Sequence, residues 1–64
     1  MMNLLTLEEA AAILRRSPAQ MRWLRHQGTG PLSAKIAGRV MYRAEDIEKY
    51  VTAQFDAEGM KATA

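Results

Sequence analysis

Apolar positions along the chain fall into three helical stripes and one alternating stretch. Leu7, Ala10, Ala11 and Leu14 keep the i, i+3, i+4, i+7 spacing of a helix face, and Thr6-x-x-Glu9 forms a capping box at its start. This predicts a first helix over 7–14, whose small alanines let another helix approach closely. Ser17-Pro18-Ala19-Gln20 is a second start signal, with serine at the N-cap, proline at the first helical position and glutamine closing the box. Gly28 stands where a left-handed residue ends a helix, so the second helix is predicted over 18–27. The few residues between the two helices force them to cross steeply, which is helix-turn-helix geometry.

Gly28-Thr29-Gly30-Pro31 then breaks the periodicity. Beyond it Ala34, Ile36, Val40 and Tyr42 alternate with Lys35, Arg39, Met41 and Arg43. The alternation predicts a hairpin over 33–43, with 33–36 paired to 40–43 and the first four residues on one face. Alanine disfavours positive φ, so Ile36-Ala37-Gly38-Arg39 is expected to form a type I turn with Gly38 as a left-handed bulge, not a two-residue I′ turn. Glu45 and Asp46 open a third helix, with Ile47, Tyr50, Val51 and Phe55 as its stripe, predicted over 45–55. Residues 56–64 lack periodicity and contain Gly59, and are expected to form a flexible tail. The fold class is mainly α with a small β-hairpin: a minimal winged helix-turn-helix over 1–55, followed by the tail over 56–64.

Composition removes most other functions. The chain has 64 residues, no cysteine and one histidine, so disulfides, structural zinc and a nucleophilic cysteine are excluded. The longest apolar run, Ala10 to Leu14, falls far short of the roughly 20 residues that span a bilayer, and no secretory leader is recognisable. The expectation is a cytoplasmic protein with no membrane partner, no metal and no cofactor. A Gly-rich loop ending in Lys-Ser/Thr and a Ser-His-Asp set are both absent from the sequence, so no catalytic residues are assigned and an enzyme is not expected.

The net charge of +2 conceals a polarised distribution. Arg15, Arg16, Arg22, Arg25, Lys35, Arg39 and Arg43 occupy a central segment with no acid, while both ends are net acidic. Such a charge pattern steers a molecule onto a polyanion. At about 100° per residue, burying Met21 and Leu24 turns Ala19, Arg22, Trp23 and His26 away from the core. Gln20 lies at the flank near the amino end, the part of such a helix that meets base edges. Arg22 suits guanine O6 and N7, Gln20 suits adenine N6 and N7, and His26 is a further base-contact candidate. Ser17 and the free first-turn amides can hold a phosphate, with Arg16 and Arg25 as backbone contacts. Arg39 at the hairpin tip suits a narrow minor groove, and Lys35 and Arg43 can reach phosphates or simply guard strand edges. Trp23 has three open roles: stacking on DNA, a protein interface, or packing under the hairpin, the commonest use of a single tryptophan.

Leu5-Thr6-Leu7-x-Glu9-Ala10-Ala11, Ser17-Pro18-x-x-Met21-Arg22, Gly28-Thr29-Gly30-Pro31 and Lys35-Ile36-x-Gly38-Arg39-Val40-x-Tyr42-Arg43-x-x-Asp46-Ile47-x-x-Tyr50-Val51 follow one another along residues 4–51. In order and spacing they resemble the small excisionase-like, MerR-type winged-helix proteins, including phage recombination directionality factors and AlpA-type regulators. One departure is the aromatic at Trp23, one residue earlier than in many relatives. The resemblance implies double-stranded DNA as partner, with the second helix in the major groove and the wing in the adjacent minor groove. It further implies cooperative binding beside neighbouring copies, DNA bending, a site-specific integrase as partner, and a bacterial host. A small transcriptional regulator of a phage or mobile element is the alternative, and a protein-interaction module the lesser one.

Overall fold

Thr6 ends a strand and caps a helix, and at the other end of the fold β3 likewise runs straight into α3. The computed structural model describes residues 3–63, with side-chain surroundings through Gly59. The order is β1 (Leu4–Thr6), α1 (Leu7–Leu14), α2 (Pro18–Gln27), β2 (Ser33–Ile36), β3 (Arg39–Arg43) and α3 (Ala44–Thr63). Both capping boxes close. The Glu9 N–H donates to Thr6 Oγ1 at 3.1 Å and the Thr6 N–H to Glu9 Oε1 at 2.8 Å. The Gln20 N–H donates to Ser17 Oγ at 3.1 Å and the Ser17 N–H to Gln20 Oε1 at 3.0 Å. Each pair satisfies amides that a helix start leaves without partners, and α1 and α2 have the predicted bounds. Between them Arg15 takes the left-handed conformation (φ 55°), so its N–H reaches the carbonyls of Ala11 and Ala12 and the chain reverses at once.

The hairpin belongs to a three-stranded antiparallel sheet of order β1-β3-β2. β1 has too few residues to show an alternation, so the sequence pattern did not reveal it. Leu5 pairs with Tyr42 and Thr6 with Met41, and the Ala44 N–H donates to the Asn3 carbonyl at 2.9 Å just beyond the paired residues.

The hairpin tip corrects two expectations. Ile36 pairs with Arg39, which leaves only Ala37 and Gly38 in the turn, both at positive φ (50° and 81°). This is the signature of the two-residue I′ turn, not of a type I turn with a bulge. The I′ turn matches the twist of the strands it joins, and that match outweighs the cost of a left-handed alanine. The tighter turn also shifts β2 by one residue against the expected faces. Lys35 pairs with Val40 and Ser33 with Tyr42, so these share the core side. Ala34 and Ile36 instead lie with Arg39, Met41 and Arg43 on the outer side, because a one-residue slip reverses every side chain.

Leu7, Ala10 and Ala11 of α1, Met21 of α2, Tyr42 of β3 and Ile47 of α3 form the core, with Leu5, Leu14, Leu24 and Val40 packed around it. At the β3–α3 junction, Arg43 Nη2 and Nε donate to the two carboxylate oxygens of the buried Asp46 (3.1 Å for Nη2). The fork ties the end of the central strand to the first turn of α3.

α3 runs from Ala44 to Thr63, past the end expected at 55. Ala57, Glu58, Met60, Lys61 and Ala62 are strong helix formers, and Gly59 costs only about 1 kcal/mol against alanine, so lost apolar periodicity does not end the helix. The segment expected as a frayed tail is therefore helical through Thr63; Ala64 lies outside the described residues. The packed stripe ends near Val51, and Phe55 is 74% exposed.

Ala37 offers a direct stability test. Asparagine tolerates the left-handed region that alanine occupies at a cost of about 1–2 kcal/mol. Ala37→Asn is expected to stabilise the protein by about 0.5–1 kcal/mol, raising the thermal midpoint by a few degrees. A lowered midpoint in circular-dichroism melting would show that the turn is not the I′ form.

Candidate nucleic-acid interface

The orientation of α2 follows from two residues. Met21 is fully buried and Leu24 half-buried, so Ala19, Gln20, Arg22, Trp23, Arg25 and His26 all lie on exposed positions. This corrects the packing role for Trp23: the indole is 60% exposed, because its position on the helix turns it away from the core that Met21 fills. The stacking and protein-contact roles remain for it.

The exposed side chains differ in what they have free. Gln20 folds back on its own cap, with Oε1 taken by the Ser17 N–H and its amide NH2 left to donate. Bidentate pairing to adenine would need Oε1 to accept a further bond or leave the cap. At the start of α2, Pro18 has no N–H, and the Gln20 and Met21 amides donate to Ser17 Oγ and the Ser17 carbonyl. The donors left open there are the Ala19 N–H and the Ser17 hydroxyl proton, fewer than a free first turn would supply.

Arg25 links the helix to the sheet. Its Nε donates to Ser33 Oγ at 3.0 Å, and Ser33 stands opposite Tyr42 on β3. Burial pushes the Tyr42 hydroxyl above its usual pKa; the hydrogen bond with Ser33 and the positive charge of Arg25 partly oppose that rise. The Arg25–Ser33 hydrogen bond is one link between the end of α2 and the hairpin. Arg25 thus has a structural role beside any contact with a phosphate.

Arg22 and Arg39, far apart in sequence, border one groove, although the strand register turns the Arg39 side chain to the outer side of the sheet. They line one groove with Thr6, Leu7 and Glu8 of the β1–α1 corner and with Gly38 and Val40 of the hairpin. The other cations are distributed elsewhere. Arg16 lines a separate cleft with Leu14, Leu24, Tyr50, Val51 and Phe55. Lys35 is exposed on the side of the sheet that carries Val40, and Arg43 faces the opposite side, held by Asp46. The hydrogen bond and the charge of Asp46 raise the already high pKa of the Arg43 guanidinium.

Two residues were missed in the sequence. Glu8 sits one position before the capping Glu9 and has no cap partner; its Oε2 lies 3.7 Å from Arg22 Nη2, a pairing visible only once the helices cross. Arg15 occupies a left-handed position where glycine is the usual residue, and no local pattern announces an arginine there. Among the described residues no cluster of three His, Cys, Asp or Glu is placed to hold a metal, and no helix is long and apolar enough to cross a membrane.

A capped two-helix unit with an outward basic helix, buttressed by a hairpin, is the architecture of a winged helix-turn-helix. The family model described as a helix-turn-helix domain matches residues 4–54, and the chain belongs to that family. Membership supports binding to double-stranded DNA and a role that is typically non-enzymatic. No curated protein and no solved structure matches the chain.

The buried Tyr42 generates a pH prediction. Its pKa is raised above the ordinary 10.0, so its contribution to stability is fully present below that pH and is lost as pH rises through the folded-state value. Urea midpoints at about pH 8 and about pH 11 are expected to fall further for the natural protein than for Tyr42→Phe, which has no phenol to ionise. Equal falls would show that the hydroxyl does not couple to folding.

Proposed function

We propose that this chain is a sequence-specific architectural DNA-binding protein of the excisionase type. It binds adjacent sites as several copies, bends the DNA and directs a site-specific integrase towards excision. The observation that carries the reading is the groove bordered by Arg22 of α2 and Arg39 of the hairpin tip, both from the acid-free segment 15–43, with Glu8 of α1 as the acid that also lines it. In this reading α2 enters the major groove amino end first. Arg22 reads guanine, the Gln20 amide donates to a base or phosphate acceptor, and His26 and Trp23 meet the duplex further along. Ser17 and Ala19 take a phosphate at the helix start, and Arg16, Arg25 and Lys35 serve the DNA backbone. Arg39 enters the minor groove, whose narrowness concentrates negative potential. Arg43 has the weakest case, since its guanidinium is committed to Asp46.

Cooperation between copies is supported by apolar surface that the fold leaves uncovered. Leu4, Leu32 and Ile36 are exposed beside the outer side of the sheet, and Phe55 stands out from α3. Each copy contributes a modest interface to DNA, and contact with a neighbour adds the remaining affinity.

Fluorescence anisotropy against duplex DNA from an attachment region tests the reading. With four to six phosphate contacts, log K against log salt is expected to have a slope of about −3.6 to −5.4. Arg22→Ala is expected to cost about 1–3 kcal/mol on the preferred site and to relax its selectivity. Arg39→Ala is expected to weaken binding and flatten the slope by roughly 0.9 if it neutralises one phosphate. A slope near zero would contradict DNA binding. Binding by isolated copies without protection of neighbouring sites in a footprint would contradict the excisionase role.

A further inference from the structure

We infer that Glu8 is a positioning residue for base recognition: it holds the Arg22 guanidinium within the groove and away from nonspecific phosphate contacts. The inference rests on the DNA-binding reading above and adds a residue to it. α1 carries two acids, and they have different tasks. Glu9 closes the capping box through Oε1, while Glu8 makes no capping bond and approaches Arg22 Nη2 at 3.7 Å. The two side chains are 61% and 62% exposed, and an ion pair so accessible adds little to folding, which removes stability as the main consequence of its presence.

The pair's location has a larger consequence. Glu8, Arg22 and Arg39 line the same groove, so a carboxylate stands among the cations that would meet a polyanion. Against DNA of arbitrary sequence this carboxylate repels phosphates and competes with them for Arg22. Where a guanine edge is within reach, the competition changes character. At 3.7 Å the pair is looser than a charge-assisted hydrogen bond, so the guanidinium N–H groups stay free to donate while the carboxylate charge biases the side chain towards the groove. Pre-ordering the side chain lowers the entropy lost on forming a bidentate base contact. The carboxylate can also accept from a cytosine N4 amine, a base-edge donor that a phosphate cannot imitate. Glu8 therefore lowers affinity for arbitrary DNA more than for a preferred site, and specificity is the difference between the two.

The test is a double-mutant cycle on the full chain, using Glu8→Gln, Arg22→Ala and the combined variant. One probe is a short fluorescein-labelled duplex of arbitrary sequence; the other is a duplex selected by the natural protein from a randomised pool. Glu8→Gln is expected to raise affinity for the arbitrary duplex by about two- to five-fold and to raise affinity for the selected duplex less, or lower it. The salt slope on the arbitrary duplex is expected to steepen by up to about 0.9, as Arg22 becomes available to a phosphate. In the Arg22→Ala background the substitution is expected to lose most of this effect. An equal rise on both duplexes, or the same rise without Arg22, would overturn the positioning role and leave DNA binding standing. Failure of the natural protein to bind either duplex would overturn both. Melting curves of the variants separate these outcomes from a folding defect.

Discussion

Only a small number of large side chains can be enclosed in a chain of this length, and among the described residues the two that are enclosed completely, Met21 and Tyr42, come from α2 and the central strand. Their burial in one core is the constraint on which the rest of the structure depends. β3 carries Tyr42 between β1 and β2, pairs with both, and runs without a loop into α3. Emptying such a buried aromatic site costs about 3–5 kcal/mol, close to all that a domain of this size has in reserve. The hairpin is thus fixed against the helices by the core itself.

From that constraint the site follows by geometry. Burying Met21 sets the rotation of α2 and sends Arg22 outward beside the start of α1. Pairing Ser33 with Tyr42 brings the Ser33 hydroxyl within hydrogen-bond reach of Arg25 at the end of α2. The two-residue turn then carries Arg39 back towards the groove that Arg22 lines. α2 and the hairpin tip are held by the same core that holds the fold, so the placement of the two arginines depends on that core. The Arg43–Asp46 fork acts at the other end of β3, where it anchors α3 and not the groove.

Local signals made α1 and α2 legible residue by residue, because each has a complete capping box and a clear stop or turn. The exposed side of α2 was legible once Met21 and Leu24 were taken as its buried residues, with Trp23 as the apolar residue that competed with that phase. Trp23 shows the limit of arguing from residue type, since its helical phase placed it outward while its chemistry favoured packing. The hairpin was visible as alternation but its register was not. The faces of β2 depend on whether one or both turn residues adopt positive φ, and Ala37 gave the wrong hint. β1 was invisible because three residues without a partner in view carry no period. The end of α3 was misjudged because helix propensity sustains it after apolar packing has stopped. Convergence of Glu8, Arg22 and Arg39 required the tertiary crossing, which no local pattern encodes.

The fold and the family thus support duplex DNA as partner, and the proposed contact is the one groove bordered by α2 and the hairpin tip. The central claim is that both arginines meet the duplex together. Heteronuclear NMR on the titrated protein reads this residue by residue. Addition of duplex DNA is expected to shift the Nε–H signals of Arg22 and Arg39 and the amides of Ala19 and Gly38 in parallel, leaving Leu4, Leu32 and the α3 residues near Thr52 largely unmoved in a single bound copy. Shifts confined to Leu4, Leu32 and α3, with Arg22 and Arg39 unchanged, would contradict the account.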